Sequence, residues 1–270
     1  MKIAALQTVS GARVAANLDT AYSLLAEAAR AGAELAVLPE YFCLMGQRDA
    51  DKLAVREPFG EGAVQSFLAG TARELGLWIV GGTLPLVAES AQHVRNSSLA
   101  YSPQGECVAR YDKIHLFRYD NGRGEQYDES RVIEAGAAPQ AFTLPSRDGH
   151  AWRVGLSVCY DLRFPELYRA LAADLLLVPS AFTFGTGQAH WELLLRARAI
   201  ENLAYVAAPA QGGRHDNGRR TWGHSMVVDP WGVVLAQRED EGAGVVLAEI
   251  ARERLQQVRS QLPALQHRVL

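Results

Sequence analysis

Three side chains of different chemistry each follow an apolar run: Glu40 after Leu-Ala-Val-Leu-Pro, Lys113 after Cys-Val-Ala-Arg-Tyr-Asp, and Cys159 after Trp-Arg-Val-Gly-Leu-Ser-Val. Strands of α/β proteins deliver functional groups from their carboxyl ends. A carboxylate, an ammonium and a thiol delivered together can serve as base, oxyanion partner and nucleophile. A free thiol has a pKa near about 8.5, so it attacks only with help from a base. Glu40 can take the thiol proton and later return it to a departing nitrogen. Lys113 and the backbone N–H of Tyr160 are candidates to hold the charge of a tetrahedral intermediate, and losing one such donor typically costs about 10²–10³ in rate. A thioester on Cys159 would then be released by water activated by Glu40. This scheme requires no metal and no organic cofactor. Taken singly, each residue also has an ordinary reading: a glutamate or lysine after a strand as a solvated turn, a cysteine between Val158 and Tyr160 as core.

The elements that must position these groups alternate between periods of two and 3.6 residues. Residues 3–7 predict a strand. Asn17 can cap a helix whose Leu18, Tyr22, Leu25 and Ala29 face one way, and Gly32 can end it. Residues 35–38 read as a buried strand stopped by Pro39. Ala63 to Leu75 reads as a helix closed by Gly76, with a strand over 77–80. Residues 96–101 and 107–111 predict a hairpin around Ser102-Pro103-Gln104-Gly105. Residues 115–138 are polar and contain glycine, which suits a loop over a site. Strands follow over 152–158, 174–178 and 204–208, a short helix begins at Pro165, and residues 190–202 form a helix. A hairpin turns at Asp229-Pro230-Trp231-Gly232, and from Arg252 the chain is helical and then extended. This alternation, with interspersed hairpins, predicts an α/β fold with mixed sheets.

Composition narrows the function classes. The 270 residues are 49% hydrophobic and 21% charged, as in an ordinary globular protein. A net charge of −3 offers no electrostatic case for nucleic acid or a membrane surface. No run of 18 apolar residues and no leader pattern occurs, so the expectation is a cytoplasmic protein with no membrane partner. The odd cysteine count (Cys43, Cys107, Cys159) argues for reduced thiols, two of them inert. Of 27 basic residues only Lys2, Lys52 and Lys113 are lysines, so a lysine was chosen at 113 where arginine is the habit. The seven histidines lack paired zinc-ligand spacing. Gly155-Leu156-Ser157-Val158-Cys159 puts a cysteine where a serine hydrolase's nucleophile elbow needs its second glycine. No histidine segment stands out to make a Cys–His protease. A non-catalytic binding protein on a hydrolase fold is the reading from a different class.

The three segments, read with Met1–Gln7 and with Pro179-Ser-Ala-Phe-Thr and Gly187–Asn202, resemble the nitrilase superfamily of carbon–nitrogen hydrolases from the first strand to the last helix. The resemblance implies a Glu40–Lys113–Cys159 triad on a four-layer αββα sandwich. It implies one domain over 1–270 and a homodimer or higher homo-oligomer, with the helix from His190 and the tail from about residue 252 at subunit interfaces. Glu129, in Tyr127-Asp128-Glu129-Ser130, matches a further family glutamate that positions Lys113 and a substrate hydrogen bond. Its ordinary reading is a loop carboxylate beside Glu125 and Asp128. Nitrile-hydrolysing members carry Trp-Glu after the cysteine; Tyr160-Asp161 here points to a small-molecule amide substrate. Tyr41, Tyr160, Phe182 and Thr186 fall at substrate-pocket positions. Arg163 suits bidentate binding of a substrate carboxylate, against a structural ion pair to Glu166 or Asp161. Glu192 and Arg196 read as an i,i+4 pair.

Gln211–His215 and Trp222–Gly232 most resemble the branch of deaminated glutathione amidases, with the related ω-amidases differing in the first segment. Both act on a 2-oxoglutaryl group; cysteinylglycine leaves in one and ammonia in the other. An N-carbamoyl amino acid hydrolase is the third reading. The segment between Glu166 and Pro179 is shorter than in most relatives and lacks a glycine before Ala173-Asp174, which bears on where Arg163 and Phe182 sit.

Overall fold

The computed structural model describes residues 1–122 and 124–269; Arg123, in the long 115–138 segment, and Leu270, at the end of the tail, lie outside the described residues. Two mixed sheets carry the architecture. In the first, Lys2–Gln7, Leu35–Val37 and Trp78–Val80 run parallel, with Gly244–Glu249 antiparallel on the outer side of Lys2–Gln7. Val94–Tyr101 bonds antiparallel to Trp78–Val80, Leu84–Val87 and Cys107–Asp112. In the second, Ala151–Leu156, Leu175–Leu177 and Tyr205–Ala208 run parallel; Gln140–Pro145 pairs antiparallel with Ala151–Leu156, Met226–Val228 antiparallel with Tyr205–Ala208, and Val234–Gln237 antiparallel with Met226–Val228.

Side-chain alternation decides how these sheets stack. Ile3, Ala5, Leu35, Val37 and Val80 join Trp152, Val154 and Leu175 in one buried core. Their neighbours Ala4, Leu6, Ala36, Leu38 and Ile79 point the other way, under Leu24, Leu25 and Ala28 of the helix Val14–Arg30 and Leu68 and Ala72 of the helix Ala63–Leu75. A strand buried on both faces reads as a nearly continuous apolar run. On the far side of the second sheet, Leu167 and Leu171 of Pro165–Leu171 and Trp191, Leu195 and Ala199 of Phe184–Asn202 complete the core. The result is the αββα sandwich. Trp78 stacks on Phe142 across the sheet interface at a centroid distance of 6.0 Å.

Several boundaries differ from expectation for local reasons. The first helix begins at Val14, and Asn17 lies inside it. The Asn17 amide accepts from Gly11 N–H and donates to the Gly11 and Cys43 carbonyls, tying the helix to the loops around it. Its buried stripe includes Ala21, Leu24, Leu25 and Ala28, while Tyr22 turns outward to donate to Glu74. The helix expected from His190 starts at Phe184, where the Thr183 and Thr186 hydroxyls bond each other at its first turn. The 115–138 segment is not a bare loop: Arg118–Asp120 pairs with Gln126–Asp128, and Glu129–Arg131 forms a 3-10 turn. The tail is helical over Arg252–Gln261 and then makes a 3-10 turn at Ala264–Gln266 rather than running extended. No helix among the described residues is long and apolar enough to cross a membrane.

Candidate active site

Glu40 leaves the first sheet just beyond Leu35–Val37. Leu38 N–H still reaches the Val80 carbonyl, and Pro39 ends the ladder. The adjacent Gly82 has φ +46°, and a Cβ there would fall 2.0 Å from the Pro39 carbonyl oxygen, so only glycine lets the two backbones approach. The carboxylate is buried and fully engaged: Oε1 accepts from Lys113 Nζ at 2.9 Å and Asn96 Nδ2 at 3.0 Å, and Oε2 from Ala181 N–H at 3.0 Å. Gln211, itself buried, donates to the Glu40 carbonyl and to Ser10 while accepting from Thr8 and Ser10 N–H.

Lys113 follows the strand Cys107–Asp112, and its side chain has no exposed surface. Its ammonium donates to both Glu129 oxygens, at 3.0 and 2.8 Å, as well as to Glu40. Burial alone would lower the lysine pKa; the Glu129 and Glu40 charges outweigh it and hold the value above the ordinary range. Burial would likewise raise Glu129, but Lys113 and the N–H of Phe117 hold it below the usual carboxylate range. Tyr41, with φ +59°, donates its hydroxyl to Glu129 at 2.7 Å.

Cys159 opens the 3-10 turn Cys159–Arg163 with φ +49°, a conformation uncommon outside glycine and frequent at functional sites. Its N–H is held by the Pro179 carbonyl. The buried Asp161 accepts from Val158 N–H, His115 N–H and Tyr111 OH and meets His115 Nδ1 at 2.7 Å, so it pins the turn to the Lys113 strand exit. The first N–H groups of such a turn have no partner inside it, and Tyr160 lies there. Burial, then the nearby Glu40 charge, push the Cys159 thiol well above its ordinary pKa. The resting thiol is therefore protonated, and a base must act as it attacks.

Glu40, Cys159, Tyr160, Arg163, Phe182, Thr186 and Glu129 line one cavity with about 290 Å³ of empty space. Lys113 is not at its surface; it stands behind the two carboxylates, with bonds to both. Tyr41, expected at a substrate-pocket position, does not line this cavity; its hydroxyl is turned to Glu129. Arg163 makes neither of the ion pairs weighed against carboxylate binding; its Nη2 is 3.3 Å from His190 Nδ1, and its guanidinium lies against Tyr160 and Phe182. Glu192 and Arg196 do pair, at 3.1 Å on the helix surface. Cys43 is buried with its pKa pushed up to about 12, whereas Cys107 is exposed, so the burial expected of both cysteines is found only at Cys43.

Sequence reasoning missed Arg219, Phe117 and Ala181 on the cavity wall and Asn96 and Gln211 behind it. Arg219 sits between two segments that resemblance had marked, yet in a chain so rich in arginine its type carries no signal. Among the described residues no group of three or more His, Cys, Asp or Glu is arranged to hold a metal ion.

Residues 2–260 match the family model for carbon–nitrogen hydrolases. The chain belongs to the carbon–nitrogen hydrolase family. It is 44% identical over 270 residues to the deaminated glutathione amidase of Synechocystis sp. (strain PCC 6803 / GT-S), covering 98% of this chain and 97% of that protein. It is 37% identical over 251 residues to omega-amidase NIT2 of Homo sapiens, covering 92% and 87% of the two chains. The C. elegans NitFhit crystal structure superposes with a TM-score of 0.88 at 36% identity, over 99% of this chain and 65% of that longer one. As a member of the carbon–nitrogen hydrolase family, this protein is a hydrolase of carbon–nitrogen bonds in amides other than peptide bonds.

Proposed function

We propose that the protein hydrolyses deaminated glutathione to 2-oxoglutarate and cysteinylglycine through a thioester on Cys159. The observation that carries the mechanism is that a strained, protonated thiol and a fully positioned carboxylate, Cys159 and Glu40, open onto the same cavity. Glu40 takes the thiol proton as Sγ attacks the amide carbonyl. The tetrahedral oxyanion is met by Tyr160 N–H and by the positive field of Lys113. The C–N bond breaks as Glu40 returns the proton to nitrogen. Water, deprotonated by Glu40, then attacks the thioester, and Cys159 leaves and regains its proton. Glu129 keeps Lys113 charged and in place, with Tyr41 steadying Glu129. Arg163, Phe182 and Thr186 bind the acyl group, Arg163 through its carboxylate.

The substrate follows from the 44% identical relative and from the Gln211–His215 and Trp222–Gly232 segments. A second reading, an ω-amidase releasing ammonia from 2-oxoglutaramate, draws support from the smallness of the inner cavity. Purified wild type and Cys159→Ala, assayed on both substrates with 2-oxoglutarate as readout, decide between them. Turnover abolished in the variant supports the nucleophile, and the substrate ratio chooses the amidase. Turnover surviving in Cys159→Ala overturns the mechanism; no turnover of either substrate by wild type overturns the substrate class and leaves the carbamoylase.

The same reading extends to organisation. Residues 1–270 act as one domain, since both sheets share one core. An exposed, unpaired Cys107 suits a reducing compartment such as the cytoplasm. Exposed Leu193 and Ile200 on the Phe184–Asn202 helix and Trp231 and Val233 on the neighbouring hairpin support the reading that copies pair across that face. A monomer in sedimentation at micromolar concentration would rule this out.

A further inference from the structure

Arg219 occupies a position that the acyl chemistry does not explain. It lines the inner cavity with Cys159 and Glu40, and it also lines a wider, open groove with about 1340 Å³ of empty space, formed by segments 46–49, 124–127, 184–185 and 217–220. It stands at the threshold between the two. Its Nη2 donates to the Ala181 carbonyl at 3.3 Å, and its guanidinium lies 4.6 Å from the Tyr127 ring centroid. Its Nε is buried with no hydrogen-bond partner, and among the described residues no carboxylate pairs with it. Neighbouring arginines of the groove are already matched: Arg220 with Glu241 at 2.6 Å and Arg48 with Asp51 at 3.3 Å. A buried donor left open is costly, so a guanidinium that lines both cavities with Nε open and no carboxylate bound among the described residues is a site for a planar anion.

The place of Arg219 selects which end of a substrate it meets. Ala181 donates its N–H to Glu40 Oε2 and offers its carbonyl to Arg219, so the arginine sits across one residue from the base. That base must protonate the departing nitrogen, so the leaving group lies beside it. Arg163, the other cation of the cavity, is packed against Tyr160 and Phe182. Deaminated glutathione carries a carboxylate at each end, one on the 2-oxoglutaryl group and one on the glycine.

We propose that Arg219 is a specificity-determining residue that binds the terminal carboxylate of a dipeptide leaving group extending into the outer groove. This rests on the amidase reading above, and it separates a dipeptide-releasing enzyme from an ammonia-releasing one, whose substrate has nothing for Arg219 to hold.

The test compares deaminated glutathione with its glycinamide analogue, which lacks only the terminal charge, in wild type, Arg219→Gln and Arg219→Lys. Wild type should prefer the charged substrate by about tenfold or more in kcat/KM, mostly through KM. Arg219→Gln should reduce that preference to about twofold or less, and Arg219→Lys, which keeps charge but not the fork, should fall between. Both substrates share the acyl group and the triad, so a purely structural effect moves them together and leaves the ratio intact. An intact ratio in Arg219→Gln, with wild-type turnover present, overturns the inference and spares the amidase reading. If wild type turns over neither substrate, calorimetric binding of cysteinylglycine and of its amide to the same proteins still reads Arg219. A charge preference lost in Arg219→Gln then upholds the inference while the substrate reading falls, and no preference in wild type overturns both.

Discussion

Lys113 is bonded to both oxygens of Glu129, at 3.0 and 2.8 Å, and only by its third hydrogen, at 2.9 Å, to Glu40. Lys113, between the two carboxylates, is thus anchored chiefly by Glu129. Three buried charges carry a large desolvation cost, which is offset only because each has its hydrogen bonds complete. On the proposed mechanism Glu129 keeps Lys113 protonated and aimed, while Glu40, on the wall of the same cavity as Cys159, is the proton carrier.

Glu129→Ala should then act on stability as well as turnover. Removing one partner of a buried pair costs about 3 kcal/mol or more. Denaturant unfolding should show that loss alongside a fall in kcat. A variant as stable as wild type would place Glu129 outside the charge network.

The acid side of the stability profile should bear the same mark. Glu129 is held below its ordinary pKa, chiefly by Lys113 against the opposing effect of burial. Its contribution is present above the unfolded carboxylate value of about 4.3 and is lost as pH falls through the lower folded value. Wild type should lose stability below about pH 4 more steeply than Glu129→Gln, measured by thermal unfolding across pH.

For Cys159 the thiol should alkylate with a midpoint above the ordinary value of about 8.5, since burial and then Glu40 raise it. Glu40→Gln removes the second cause, so the midpoint should drop while turnover falls about 10²–10⁴. Iodoacetamide rates against pH, with Cys43 and Cys107 replaced, measure it. A midpoint that rises in Glu40→Gln would contradict the proximity of the two groups.

Tyr41→Phe keeps the ring and deletes the hydrogen bond to Glu129. The expected cost is about 1–2 kcal/mol of stability and a reduced kcat with KM nearly constant. A rise in KM alone would restore the direct substrate contact that the cavity wall does not show.

Asp174→Asn should loosen the carboxyl-terminal helix. Asp174 is mostly buried and meets both Arg252 and Arg259 at 2.7 Å, the latter also donating to the Leu203 and Ala173 carbonyls. About 2–3 kcal/mol should be lost, with faster hydrogen exchange over Arg252–Gln261 and little change in kcat.

Much of this was legible along the chain. Short apolar runs with glycine or proline stops located the parallel strands, and both Glu40 and Cys159 emerge just after them, because a strand's end is a local property. The helix Ala63–Leu75 and its Gly76 stop matched for the same reason, with φ +60° at the glycine. Elements governed by distant contacts were not legible. The Phe184 start of the long helix lies in a glycine-containing stretch with no apolar stripe, and Gly187 is needed because a Cβ there would meet Trp222 at 2.3 Å. The short strands Leu84–Val87 and Gly212–Arg214 acquire their character from the strands they bond to.

The sequence by itself determined the chemistry: an acid, a lysine among arginines, and a thiol, each at a strand exit, within segments of one family. Only the tertiary structure decided their arrangement. It set Lys113 behind the cavity wall, turned the Tyr41 hydroxyl to Glu129, gave Asp161 to His115 and Tyr111, and left Arg219 Nε without a partner at the threshold. The reason is that residue type and local periodicity are inherited from the chain, whereas a hydrogen bond between residues 40 and 181 exists only once both sheets have packed and excluded the water that would otherwise satisfy each group.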